Sequence, residues 1–273
     1  MKIFIILLFI CSLTAGQATR IVYEYSFIPD INDRKTIRSE YMFLDVQQKG
    51  SDFYSYRNYS VDSTALAYMN KGLSFMPPNR EYIDFRIVKN IGSNEVNMIT
   101  KVGSVVYEVA DYRKQEWKIT NQKSEILGHA VTSAEVNFGG RNWIAWFAPD
   151  IPFQEGPYKF NGLPGLILKM EDDKKNHIFT ATQIKKLKVH QPYPLTENSK
   201  PIKRISDSDF KKILTEYRKD PLKNLRGRYP DQTDSEGNFR TGEQVFRDEE
   251  RLFKERIKKD NNILEIDLLN STD

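Results

Sequence analysis

The sequence predicts a mainly β protein with an α+β ending: a large curved antiparallel sheet, or open half-barrel, with two C-terminal helices packed against it. Three observations predict it. Apolar and polar residues alternate in short runs over most of residues 20–190, which is the period-2 signature of half-buried strands. Turn-forming pairs, among them Lys49-Gly50, Gly103-Ser104 and Gly139-Gly140, fall between these runs. Beyond residue 191 the apolar spacing becomes helical.

The chain starts with Met1-Lys2, followed by an almost unbroken apolar run over residues 3–13 and a small or polar stretch over residues 14–18. This is the order of a secretory signal peptide. About eleven apolar residues fall short of the roughly 20 needed to span a bilayer. We therefore expect residues 1–16 to be a signal peptide, with cleavage after residue 18 as the alternative. Residues 17–273 are expected to form one β-rich domain, of which 191–273 is a helical and loop part. Cys11 is the only cysteine and would leave with the signal, so the mature chain is expected to lack disulfides and cysteine nucleophiles. No other apolar run approaches 18 residues, so no transmembrane segment is expected after signal removal.

Residues 20–27 place Ile21, Tyr23, Tyr25 and Phe27 on one face, with Val22, Glu24 and Ser26 opposite. Comparable runs follow at 41–47, 53–57, 82–89, 96–102, 105–112 and 117–120. Residues 60–71 have helix-like spacing at Leu66 and Met69 and end at Gly72. Residues 129–138 alternate with Ala130, Thr132, Ala134, Val136 and Phe138 on one face. Gly139-Gly140 then signals a tight hairpin. Residues 141–147 are apolar on both faces and belong inside the sheet. Two strands at 166–170 and 178–186, joined by the polar turn 171–176, complete a meander of about eight to eleven strands.

Gln191-Pro192-Tyr193-Pro194 ends the sheet pattern. Ser206 or Ser208 can cap a helix reaching about Lys219, with Phe210, Ile213, Leu214 and Tyr217 along one stripe. Residues 222–241 read as a long loop. A second helix is expected over residues 243–259, and residues 263–268 read as a final edge strand.

Gly162-Leu163-Pro164-Gly165-Leu166-Ile167 is the most distinctive segment. Its glycines allow backbone conformations closed to other residues, and Pro164 fixes its own φ while pushing Leu163 towards extended geometry. With Asp150-Ile151-Pro152 and Gly156-Pro157 upstream, the segment reads either as a crossover wedged into the core or as the rigid rim of a binding cleft. Arg141, Trp143, Trp146 and Asp150 are the candidate binding residues. An arginine beside tryptophan suits a carbohydrate or a peptide carboxylate; the alternative is that these tryptophans are core.

The region around this segment resembles the GLPGLI family, exported proteins found chiefly in Bacteroidota. The motif stands unaltered, accompanied by Trp117-Lys118-Ile119-Thr120, Ile126-Leu127-Gly128, Gly140-Arg141-Asn142, Ala145-Trp146-Phe147 and Gly156-Pro157. Many relatives carry a cysteine where Val131 stands here. The resemblance implies export, genes near outer-membrane receptors and no assigned activity. An outer-membrane receptor or other envelope protein is thus an expected partner. Other envelope proteins with strongly curved antiparallel sheets hold a lipid or peptide in the concavity, an analogy of fold alone.

No catalytic constellation, metal site or cofactor is expected. The three histidines, His129, His177 and His190, show no metal-ligand spacing, and His129 and His177 read as exposed. Nucleophile-elbow, P-loop and dinucleotide fingerprints are absent from the sequence. Asp150 and Glu155 could form a carboxylate pair for glycoside chemistry only if the fold set their separation. The formal net charge is +4, and nucleic acid is not an expected partner. Residues 184–228 carry 13 Lys/Arg against 5 Asp/Glu, read as a solvated face or as a site for an anionic partner. The function expected is a non-catalytic periplasmic or outer-envelope binding or escort protein for peptide, lipid or glycan. The alternatives are a peptide- or glycan-directed hydrolase and a structural subunit of an outer-membrane transport assembly.

Overall fold

A computed structural model of the protein describes residues 18–76, 83–90, 92–195, 201, 203–233 and 235–269. The proposed signal peptide lies outside the described residues. Twelve strands form one open sheet, with three α-helices around it. The strands of the N-terminal part are β1 (Ala18–Phe27), β2 (Arg38–Gln47), β3 (Gly50–Ser55), β4 (Phe85–Asn90), β5 (Val96–Val102) and β6 (Val105–Asp111). The next five are β7 (Lys118–Ile126), β8 (His129–Phe138), β9 (Arg141–Ala148), β10 (Leu166–Asp172) and β11 (His177–Leu187). The short β12 (Lys203–Ser206) follows, and β13 (Gln232–Thr233) and β14 (Phe239–Arg240) make a separate small hairpin. The sheet order is β12-β6-β5-β4-β3-β2-β1-β11-β10-β9-β8-β7. Eleven of these strands pair antiparallel, as the alternation predicts. β12 joins β6 in parallel, so the sheet is mixed and one strand larger than expected.

The order brings two meanders together. β1 is the seam, pairing with β2 on one side and with β11 on the other. Its inward residues Ile21, Tyr23, Tyr25 and Phe27 are all buried. The Gly139-Gly140 turn has φ of +63° and +76°, the left-handed pair that a tight β8–β9 hairpin requires.

Curvature follows from two neighbouring side chains. Tyr158 packs against Phe85 and reaches Met98 of β5, while Phe160 packs against Phe138 of β8 and Trp143 of β9. β5 and β8 are eight places apart in the sheet order, which would be ~38 Å in a flat sheet at ~4.8 Å per strand. Two residues that touch both therefore require the sheet to wrap round them.

Helix α1 (Tyr56–Met69) starts on Ser55, whose hydroxyl accepts from the Asn58 amide. α2 (Asp207–Lys219) is capped by Ser206, as the sequence predicts, and buries Phe210 against the main core with Ile213, Leu214 and Tyr217 beside it. α3 (Gly242–Lys259) opens with a capping box between Thr241 and Gln244. Its buried Val245 and Phe246 lie outside the main core, and Phe246 meets Tyr229 edge-on. The expected strand at 263–268 is not formed. Ile266–Leu269 is a 3₁₀ turn, and the preceding carbonyls are taken by an arginine rather than by a strand.

Candidate functional site

The concavity of the sheet is where a ligand would be sought, and it is filled by two pieces of the chain itself. The first is the crossover between β9 and β10. Tyr158, Phe160 and Leu163 are buried on it, and Gly162 and Pro164 face out. Lys89 of β4 donates to the Gly156 and Phe160 carbonyls at 3.1 and 2.9 Å. Gln115 and Trp117 donate to Lys159 O and Asn161 O, and Tyr23 donates to Ile167 O at 2.6 Å. The glycines serve close approach: a Cβ on Gly165 would lie 2.2 Å from the Ala148 carbonyl oxygen, and one on Gly156 would lie 2.7 Å from Ile167. Gly162, at φ +89°, has open space around it. Leu166 and Ile167 enter β10 fully buried.

The second piece is the C-terminal segment. Glu265 and Ile266 press on the Gly139-Gly140 turn, where added Cβ atoms would approach to 2.8 and 2.9 Å. Arg141 holds this segment. Its guanidinium donates to Leu264 O at 3.0 Å, Ile263 O at 2.6 Å and the Asn262 side chain at 2.7 Å, with Asp172 at 3.3 Å.

The sequence-derived candidates do not converge. Arg141 and Trp143 share the inner face of β9, both buried, and the Trp143 indole donates to Phe138 O. Trp146, half-buried, points to the other face. Asp150 is exposed and meets His129 at 2.6 Å, a hydrogen bond that lowers its carboxyl below the usual range. Glu155 instead meets Lys89 and Ser51, each at 2.9 Å, so Asp150 and Glu155 have separate partners. His177, expected on the surface, is buried. It stacks on Tyr25 and receives or donates a 2.7 Å bond at Nδ1. Burial, reinforced by Arg141, pushes it down to about 3.

A charged cluster that the sequence did not reveal lies where crossover and C-terminal segment meet. Lys159, 1 % exposed, sits 2.6 Å from Glu265 and 2.9 Å from Asp111. Arg113 bonds Asp111, Glu265 and Asp207, and Tyr158 donates to Glu265 at 2.5 Å. Burial alone would raise the Asp111 and Glu265 carboxyls, but Arg113 and Lys159 outweigh it and hold both below their ordinary values. Burial alone would lower Lys159, yet Glu265 and Asp111 keep it raised. The carboxylates of Asp111, Asp207 and Glu265 lie within 4.8 Å of one another, in a spacing a cation could bridge. The Lys159 ammonium and Arg113 guanidinium already supply that charge. The residues come from β6, the crossover, α2 and the C-terminal segment, so no local spacing signals them. The one hint is a lysine flanked by two aromatics, Tyr158-Lys159-Phe160.

A shallow open hollow of about 500 Å³ lies at the β12–β6 edge beside α2, lined in part by Tyr112, Lys203, Arg204 and Lys212. Arg204 there is bound to Glu95 and Glu108, and Lys212 lies 3.7 Å from Asp209. Elsewhere in the basic stretch, Arg218 is paired with Asp260 and Arg226 with Asp220. Four of the 13 cations of that stretch are thus paired with nearby carboxylates among the described residues. No helix among the described residues is long and apolar enough to cross a membrane.

Residues 87–169 match a family model described as a protein of unknown function (Porph_ging). That stretch runs from β4 through the crossover into β10 and contains residues 162–167. Two solved structures of PNGF-II, in different space groups, share the fold at a TM-score of 0.51 with 20% and 19% identity. Each alignment covers 74% of this chain, and 34% or 33% of the PNGF-II chain. This chain therefore spans about a third of the length of those proteins. No curated protein matches in sequence.

Proposed function

We propose that the protein is an exported, non-catalytic binding or escort protein of the cell envelope that meets its partner with its outer surface. The filled concavity counts against a cradled peptide, lipid or glycan, so the reading rests on the signal-like N-terminus and the family resemblance and moves any partner to the outer surface. Tyr158, Phe160, Leu163, Leu264 and Leu268 occupy the space a cradled ligand would need, and the polar groups beneath them bond to one another. The signal-like residues 1–16 and the GLPGLI resemblance support export. Arg141 and Trp143 then serve packing, while Trp146 and Asp150 remain on the outside. Residues 162–167 act as the structural bend that seats the crossover.

The test uses the protein purified from its native envelope after detergent solubilisation, with mass spectrometry of the mature N-terminus and of everything retained. The expected outcome is a chain beginning at residue 17 or 19 with a partner protein in fixed ratio. Turnover of a peptide or glycan substrate that is abolished by Asp150→Asn or Glu155→Gln would overturn it in favour of a hydrolase.

A further inference from the structure

β7 is one of the two ends of the main sheet. One side of it pairs with β8, and the other faces no strand. Residues 121–125 are all exposed, within a stretch, 92–195, that is described without a break. An open edge is a template for another strand, and proteins blunt it with a lysine, a bulge or a cover. β7 carries the first two. Ile119 pairs with Ala134 and Lys123 with Thr132, so residues 120–122 stand opposite Ser133 alone. These devices leave one regular run, Lys123–Ile126, and its chemistry selects one occupant.

The phase of that run is set by the β7–β8 turn. Leu127 and Gly128 have φ of +53° and +78°, both left-handed. In a two-residue turn of this kind the flanking residues, here Ile126 and His129, exchange both main-chain hydrogen bonds. The alternation then points the amide and carbonyl of Ser124 at β8, while those of Lys123 and Glu125 point away from the sheet. No hydrogen bond or ion pair among the described residues engages the outward groups or the side chains of Lys123 and Glu125.

An incoming antiparallel strand must therefore set its own outward groups opposite Lys123 and Glu125. A second copy of β7 can do so in three neighbouring registers. Lys123 opposite Lys123, or Glu125 opposite Glu125, puts like charges face to face, which is destabilising. Lys123 opposite Glu125 makes two attractive pairs related by a two-fold axis, with four main-chain hydrogen bonds between them. Ser124 then meets Ser124 on the axis as a non-hydrogen-bonded pair, at a Cα separation of about 4.5 Å. A segment of a single charge sign would satisfy one of the two side chains and repel the other.

We infer that β7 is the contact through which two copies of this chain form a two-fold dimer, Lys123 of each copy opposite Glu125 of the other, which joins two twelve-stranded sheets edge to edge. Surface ion pairs add little affinity; here they fix the register, and the short run makes the dimer weak and reversible. The two-fold axis closes the contact, so this edge does not propagate into a fibre. The inference goes beyond the envelope partner proposed above and does not depend on it.

The experiment is sedimentation velocity of the mature protein from roughly 5 µM to roughly 500 µM. Wild type should pass from monomer to dimer across that range. Glu125→Lys and Lys123→Glu should each weaken the dimer about tenfold or more, with unchanged circular dichroism spectra and melting temperatures. An equimolar mixture of the two variants should dimerise at least as well as wild type, because each supplies the charge the other lacks. Once Cys11 has left with the signal the chain has no cysteine, so Ser124→Cys should give an intermolecular disulfide on air oxidation. Gln122→Cys, which would face Ile126 of the second copy, should give it at least roughly tenfold more slowly. A wild-type monomer at every concentration overturns the inference. So does a dimer that both single variants leave unchanged, or a mixture that associates no better than its components. A monomer that loses a co-purifying protein on Glu125→Lys substitution also overturns it, and would assign the edge to a strand of that protein.

Discussion

Two glycines of one hexapeptide do different work, and substitution separates them. Gly165 has φ +151° and lies against the Ala148–Pro149 backbone, whereas Gly162 has φ +89° with nothing near it. Gly165→Ala should cost about 2–3 kcal/mol, combining backbone strain with overpacking. Gly162→Ala should cost about 1 kcal/mol from strain alone; urea denaturation of both variants checks the order. His177 offers a second test. Its folded value of about 3 lies below its ordinary 6.5, so the folded state prefers the neutral ring. That contribution is complete above about pH 6.5 and is lost as pH falls towards 3, because the unfolded chain takes up a proton that the folded chain refuses. Between about pH 7 and about pH 5.5 the wild type should lose about 1 kcal/mol of stability through this group. His177→Gln should lose correspondingly less over the same interval; an equal slope would contradict the buried neutral ring.

At the level of elements, the C-terminal segment is attached by side chains rather than by a strand ladder. Arg141 supplies three of its hydrogen bonds. Arg141→Met should therefore leave the sheet folded but speed amide hydrogen exchange through residues 262–268, while exchange in β1 and β11 stays slow. The same segment shows where sequence reading succeeds and where it stops. The long strands were legible because each buries one face, so alternation writes itself into residues 20–27 and 134–138, although at 130–133 the facing is reversed, with Val131 and Ser133 buried and Ala130 exposed. The helix cap at Ser206 follows from a short side chain that accepts the first free amides, whereas the Thr241 cap of α3 was not read from the sequence. Residues 263–268 alternate just as well, yet Ile263 and Leu264 give their carbonyls to Arg141 and Glu265 turns inward to Lys159, so no ladder forms. β12 was missed because four residues with one buried side chain, Ile205, carry too little pattern. His177 looked polar and exposed because nothing local shows that Tyr25 will cover it. The charged cluster was illegible for a related reason: its members are brought together only by the fold.

Across the whole molecule, the crossover ties both flanks of the sheet to one interior. Tyr158 and Phe160 stand two residues apart and touch strands from opposite flanks, so neither flank keeps its core if the other opens. All three tryptophans, Trp117, Trp143 and Trp146, report on the β7–β9 flank, while many of the tyrosines lie on the other. Tryptophan fluorescence and tyrosine-dominated near-ultraviolet signals should therefore give coincident denaturation curves. Two separated midpoints would show that the flanks unfold independently.

The placement of Glu265 has a consequence for how such a chain comes into being. Lys159 and Asp111 pair directly, but the second carboxylate on Lys159, Glu265, lies more than a hundred positions downstream. A ribosome that has delivered every strand of the main sheet has still not delivered this second counter-charge. The nascent polypeptide thus lacks the Glu265 contacts with Lys159, Arg113 and Tyr158 until residue 265 has emerged. A stop codon placed ahead of residue 265 would accordingly strip a buried ionic contact from the interior rather than trim an appendage.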